Sequence, residues 1–302
     1  MEYASGGDLH NYLQKNFTEI TWIKKLDILQ DISRGLEFIH NVNFVHRDLH
    51  SGNILLDYRW KIGDLGLSQP VNNTSSNNEI YGVIPYIAPE IFKGSAFSKE
   101  SDIYSMGMIM WELTTGCKPF ANVEHDHKLI YKILDGERPE ITEDTPECYA
   151  DLMKRCWDSD PQKRPSITII CNIFDDWTSS NKNNTSSCEL IPYVASEIPE
   201  CFANLMKNCW DSDFKKRPSI TEFRNSFNNW VRCLLEDDIK EQFDKAELKR
   251  VELINSKKFG PEFTEKAHPK AIYTSRSLSY LISRCSFINS SIISFGNIHG
   301  IV

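Results

Sequence analysis

Apolar residues recur at three- and four-residue spacing between Thr21 and His40, at Trp22, Leu26, Leu29, Ile32, Leu36 and Ile39, which predicts a helix with one buried face. A second helix is predicted from Ser98, whose hydroxyl suits an N-cap, to Gly116, which suits the left-handed end of a helix. Within it Ile103, Met106, Ile109, Met110, Trp111 and Leu113 make nearly every face apolar, so this helix must be buried. Asp102 lies at its start. An unpaired carboxylate there would be costly, so donors are expected around it. Two short runs, Ile54-Leu55-Leu56 and Trp60-Lys61-Ile62, flank a polar turn at Asp57 to Arg59 and predict a pair of short strands. Asp8 is placed to cap a helix that begins at Leu9.

The later part of the chain repeats itself. Pro146 to Thr168 recurs as Pro199 to Thr221 with eighteen of twenty-three positions identical, a true internal duplication. Each copy carries Cys-Trp-Asp-Ser-Asp, at Cys156 to Asp160 and at Cys209 to Asp213, followed by Lys-Arg-Pro-Ser-Ile. An Asn/Ser/Thr/Lys-rich stretch from Thr178 to Ser187 reads as a linker between them. From Leu234 to Ser256, charged residues surround Leu235, Ile239, Phe243, Leu248 and Val251, which predicts an amphipathic helix laid on the main body. Beyond Phe259, Ser, Asn and Gly are common and little order is expected.

Composition narrows the classes. With 302 residues and 40% hydrophobic content, the chain has material for one large domain and an extension. A net charge of -8 and a pI near 5.6 argue against nucleic acid or an anionic membrane as the main partner. No apolar run is long enough for a membrane span, and no basic-then-apolar signal opens the chain. Nine cysteines without C-x-x-C pairs suggest reduced thiols and a cytoplasmic setting, with neither a disulfide framework nor a zinc site. His125 and His127 have no further ligands nearby in sequence and read as solvated.

The chemistry-bearing stretch is His46-Arg47-Asp48-Leu49-His50-Ser51-Gly52-Asn53. Downstream follow, in order, Asp64-Leu65-Gly66, Ala88-Pro89-Glu90, Asp102 with Gly107, and Arg164. This ordered set resembles the protein kinase family, in its tyrosine-kinase-like group, over about Met1 to Trp177. The resemblance implies a mainly α fold: the large, C-terminal lobe of a protein kinase, with a few short β-strands at the catalytic loop and a duplicated helical appendix. On that basis the chain divides into a partial kinase domain at 1–177, a linker at 178–188, a partial repeat of the last kinase helices at 189–231, a charged amphipathic helix at 232–258 and a mostly disordered tail at 259–302.

Roles carried over by the resemblance are specific. Asp48 would receive the substrate hydroxyl, and Asn53 and Asp64 would hold the Mg²⁺ ions that bridge the phosphates of ATP. The backbone of Glu2 and Ala4 would meet adenine, Asp8 the ribose, and Leu55 would pack beneath the base. His46 and Leu65 would be packing residues. Arg47 would meet a phosphate on the segment from Asp64 to Glu90, which contains Thr74, Ser75, Ser76 and Tyr81 and invites an upstream kinase. Glu90 and Arg164 would form an internal ion pair, and Asp102 would bind backbone amides of the catalytic loop. The partners implied are protein substrates.

Two departures stand out. No G-x-G-x-x-G-x-V loop and no V-A-I-K strand occur in the sequence, so the resemblance begins at the hinge and implies a missing upper lobe. The competing reading is a catalytically idle binding or scaffold module. His50 replaces the Lys usual two residues after the catalytic Asp in serine/threonine kinases, and Val83 replaces their Thr. A serine/threonine preference therefore rests on group resemblance alone.

Overall fold

The computed structural model describes residues 6–71, 79–182, 239–256, 258 and 267–285. Helices dominate: α1 (Leu9–Asn16), α2 (Trp22–Asn41), α3 (Pro89–Phe92), α4 (Lys99–Thr115), α5 (His127–Leu134), α6 (Glu147–Cys156) and α7 (Ile167–Lys182). Short strands come in antiparallel pairs: β1 (Phe44–Val45) with β4 (Gln69–Pro70), β2 (Ile54–Leu56) with β3 (Trp60–Ile62), and β5 (Tyr81–Gly82) with β6 (Arg276–Ser277). The duplicated segment and its linker lie outside the described residues.

Helix α2 forms as its periodicity predicts. Thr21 caps it by accepting the Lys24 N–H, and Leu26, Leu29, Ile32 and Leu36 are buried against α7. Helix α4 is buried on every side. Ser98 and Ser101 close a reciprocal capping box at its start, and Gly116 ends it with φ at +71°, a conformation glycine adopts without penalty. At Gly107 a Cβ would stand 3.0 Å from the Cys156 Cβ, so the missing side chain is what lets α4 and α6 touch. The β2–β3 hairpin has Ile54 opposite Ile62 and Leu56 opposite Trp60, as the two apolar runs predict.

A helix over 239–255 lies on the helical body, but its inward face differs from the predicted stripe. Phe243 and Ala246 are buried, whereas Leu248 is 73% exposed and Val251 43% exposed. Polar side chains set this orientation. Glu247 accepts the Trp22 N–H at the start of α2 (3.1 Å), and Gln242 accepts the Cys148 N–H at the start of α6 (2.8 Å). Both are otherwise orphan helix donors. Phe243 completes an aromatic cluster with Trp22 and Trp177.

Order returns at 267–285, against the expectation of little structure there. His268 donates its backbone N–H to Ala121 O (2.7 Å), and the Lys270 carbonyl accepts from the His125 N–H (3.2 Å). Polar composition concealed a segment anchored by backbone hydrogen bonds and by the fully buried Leu278. His125 is correspondingly 3% exposed rather than solvated. Its Nε2 donates to Phe120 O (3.2 Å) and its Nδ1 accepts from Ile272 N (3.1 Å). No helix of the described residues is long and apolar enough to cross a membrane.

One buried group works against folding. Lys25 is fully buried over the rings of Trp22 and Phe17, its Nζ has no hydrogen-bond partner among the described residues, and desolvation lowers its pKa to about 8. The unfolded chain therefore binds more protons than the native state between pH 8 and 10.5, so stability should rise with pH across that window. The full span is about 3 kcal/mol at 1.36 kcal/mol per unit. Urea titrations should find this rise in the native sequence and a flat profile in Lys25→Met.

Candidate functional site

The loop from His46 to Asn53 is held from below by one buried carboxylate. Asp102, 1% exposed, accepts the His46 N–H at 2.8 Å and the Arg47 N–H at 3.0 Å through its two oxygens. These are the backbone donors expected for it. A third donor, His40 Nε2 at 2.9 Å, comes from the last turn of α2. Sequence reasoning missed His40, although it lies four residues after Leu36 on the buried stripe of that helix. Arg47 is in the left-handed region, φ +73°, which aims its amide at Asp102. Its guanidinium lies 4.7 Å from the Phe97 ring and 3.5 Å from the Leu67 carbonyl.

The same loop carries Asp48, which is 6% exposed. Its own N–H donates to His46 Nδ1 (3.3 Å), while His46 Nε2 donates to the Gly63 carbonyl (3.0 Å). The buried imidazole thus ties the loop to the strand end preceding Asp64. Asn53 donates its side-chain N–H to the Asp48 carbonyl at 2.9 Å, which leaves its amide oxygen as the atom available to a cation. Gly63 N donates to Asn53 O at 2.7 Å and extends the β2–β3 ladder by one step. Asn53 and Asp64 therefore stand at neighbouring strand ends, with Asp48 close enough that the Asp64 charge raises its pKa.

Burial is the main cause that raises the Asp48 pKa. His50, whose Nε2 is 3.8 Å from Asp48 Oδ2, opposes the shift only as far as it is protonated, and burial lowers its own pKa. His50 Nδ1 accepts the Gly52 N–H at 3.0 Å. Asp64 has φ +52° and accepts the Gly66 N–H at 3.3 Å, with its side chain exposed. Leu65 departs from its expected packing role. It is 53% exposed because the turn over Leu65–Leu67 that follows the left-handed Asp64 points it outward.

Chain segment 6–8 runs beside β2. Gly6 N donates to Leu56 O (3.0 Å), Leu56 N to Gly7 O (2.9 Å), and Asp8 bridges to Leu55. The Asp8 carboxylate caps α1, accepting the Asn11 N–H at 2.8 Å and its side-chain N–H at 2.6 Å. Glu2 and Ala4 lie outside the described residues, as do Thr74, Ser75 and Ser76. Glu90 and Arg164 meet as expected, in a bidentate pair with both N–O distances at 2.7 Å. Arg164 also donates to the carbonyls of Asp158 and Glu100. A second buried carboxylate, Glu112 of α4, was not foreseen: it accepts from Tyr86 OH (2.6 Å) and lies 2.9 Å from His10 Nδ1. Its even spread of apolar neighbours hides it from any periodicity.

The family model for protein tyrosine and serine/threonine kinases matches residues 1–174. The chain belongs to that family. Among its relatives, a probable LIM domain-containing serine/threonine-protein kinase of Dictyostelium discoideum is 32% identical over 173 residues, 57% of this chain and 26% of that protein. Stress-activated protein kinase alpha of the same organism is 36% identical over 188 residues, 56% of this chain and 29% of that protein. A serine/threonine/tyrosine-protein kinase of Arabidopsis thaliana is 34% identical over 179 residues, 58% of this chain and 46% of that protein. The chain spans less than half the length of these relatives.

The Glu90–Arg164 pair yields a stability prediction. Arg164 has a fully buried side chain, so removing its partner strands a charge in the interior. Glu90→Ala should cost about 3 kcal/mol, read as a lower urea midpoint with an unchanged slope. An unaltered midpoint would refute the pairing.

Proposed function

We propose that this chain carries ATP-dependent phosphoryl transfer to protein hydroxyls, with serine or threonine as acceptor, in the large lobe of a protein kinase domain. The observation that carries the reading is Asp48, a nearly buried carboxylate braced by His46, with the Asn53 amide and the Asp64 carboxylate beside it. Asp48 orients the acceptor hydroxyl and takes its proton. Such positioning, with charge neutralisation, supplies most of the catalysis in this reaction class.

Asn53 and Asp64 offer hard oxygen donors, an amide oxygen and an exposed carboxylate, which is the ligand chemistry Mg²⁺ takes. When bound, Mg²⁺ neutralises the charge of the ATP phosphates. Leu55 and Asp8, brought together by the bridge between segment 6–8 and β2, suit the nucleoside, with the backbone of Glu2 and Ala4 on the adenine edge. The Gly-rich loop and Lys of the family do not occur in the sequence. On this reading they belong to an upper lobe outside these residues, and the segment from Asp64 to Glu90 is the site an upstream kinase acts on.

Calorimetric titration of the chain with Mg²⁺-ATP tests the reading. Binding should be present in the native sequence and in Asp48→Asn, and lost in Asp64→Ala. Transfer to protein should fall about 100-fold or more in Asp48→Asn, the usual contribution of a general base. Full activity in that variant would sink the role of Asp48, and no binding at all would favour the idle scaffold.

The rate should also report the raised Asp48 pKa. Because the base acts deprotonated, the acidic limb of the pH–rate profile should lie above the ordinary aspartate value of 3.8. His50→Lys, which puts a permanent cation beside Asp48, should move that limb to lower pH. An unmoved limb would exclude Asp48 as the group that titrates.

A further inference from the structure

Strand β6 lies directly over the loop that bears Asp48. Arg276 pairs with Gly82 and Ser277 with Tyr81, and the Leu278 N–H extends the ladder to Ile80 O at 2.9 Å. Leu278 is 0% exposed, so the strand is pinned by an apolar anchor as well as by its backbone. On the other side, Tyr273 OH donates to Pro119 O (2.8 Å) and Arg276 Nη2 donates to His125 O (2.8 Å). Ser275 sits between these fixed points.

Its hydroxyl is hydrogen-bonded to the Asp48 carboxylate, and this bond lowers the pKa that burial raises. Gly82, the partner of Arg276, is equally close: a Cβ there would stand 3.5 Å from Asp48 Oδ1. The Ser275 residue nonetheless remains exposed, so its hydroxyl is open on the side away from Asp48. A strand added to a short edge, with one hydroxyl delivered to a buried carboxylate, is how an extended peptide is presented by backbone pairing.

We propose that Ser275 is a phosphoacceptor of this chain in cis, held in acceptor position by the pairing of β6 with β5. The proposal rests on the kinase reading of Asp48. A bond forms from Ser275 Oγ to the γ-phosphorus of Mg²⁺-bound ATP, and the bridging Pγ–O bond breaks. ADP departs with its electron pair, and the hydroxyl proton passes to Asp48. The product places a phosphate of charge near −2 beside a carboxylate. Repulsion then releases the strand and opens Asp48 to other protein acceptors.

The test is phosphopeptide mapping of the full 302-residue chain incubated with Mg²⁺-ATP and myelin basic protein. Phosphate should appear on Ser275, at a fraction per molecule that does not change on dilution, and should vanish in Ser275→Ala and Asp48→Asn. Leu278→Asp, which removes the apolar anchor, should reduce phosphate on Ser275 about tenfold or more through lost effective concentration, while phosphate on myelin basic protein rises. Phosphate on myelin basic protein but not on Ser275 overturns the proposal and leaves the kinase reading intact. Phosphate on neither overturns both. Retention of Ser275 phosphate in Asp48→Asn, or an unchanged level in Leu278→Asp, also overturns it.

Discussion

The Asp102 carboxylate is the fixed point from which the candidate site is built. A charge buried in α4 is tolerable only if its oxygens are filled, and the donors that fill them come from outside its own helix. His40 ends α2, and the amides of His46 and Arg47 belong to the loop. The need to satisfy one carboxylate therefore locks two helices and a loop together. Arg47 adopts a left-handed backbone to make its bond, a conformation that costs a non-glycine residue about 1–2 kcal/mol. Two charge-assisted amide bonds outweigh that strain. The next residue, Asp48, inherits its direction from this kink.

From that point, order passes through backbone groups more than through side-chain packing. His46 uses one ring nitrogen on the Asp48 N–H and the other on the Gly63 carbonyl. Asn53 closes the loop onto the Asp48 carbonyl. Asp48 is thereby held at its amide, its carbonyl and its carboxylate, which is the preorganisation that a transfer reaction dominated by positioning demands. The β2–β3 hairpin sets the distance between Asn53 and Asp64. Asp64 itself stays exposed, in contrast to Asp48, so the two carboxylates differ in solvation as a proton acceptor and a cation ligand should.

What was legible in the sequence is what repeats locally. Helix α2, helix α4 with its two caps, and the β2–β3 hairpin follow from spacing and cap chemistry. The demand of Asp102 for donors followed from its place in an apolar helix, and the Glu90–Arg164 pair from family resemblance. What was hidden is set by contacts distant in sequence. His40, Glu112 and His125 are polar residues whose partners are far along the chain, and no period encodes them. The face of the 239–255 helix was misread for the same reason: Gln242 and Glu247 turn inward to serve orphan N–H groups of α6 and α2, and Leu248 is turned out in consequence. Residues 267–278 are polar in composition, yet their order rests on backbone pairing, which composition does not record.

Helix α2 joins these effects across the molecule. Its first N–H is received by Glu247 of the 239–255 helix, and its last turn delivers His40 to Asp102. A helix is stiff along its axis, so the appended helix and the loop it never touches share one rigid element. Residues 267–278 act from the opposite direction, on the solvent side of the same loop, through Asp48. The loop is thus gripped from beneath by a buried carboxylate that is permanently satisfied, and from above by a strand with a single apolar anchor. Stability is not uniform across such an arrangement, and the face with fewer buried contacts opens first. Any access to Asp48 in the described residues must therefore come by displacing β6, and not by loosening the Asp102 clamp.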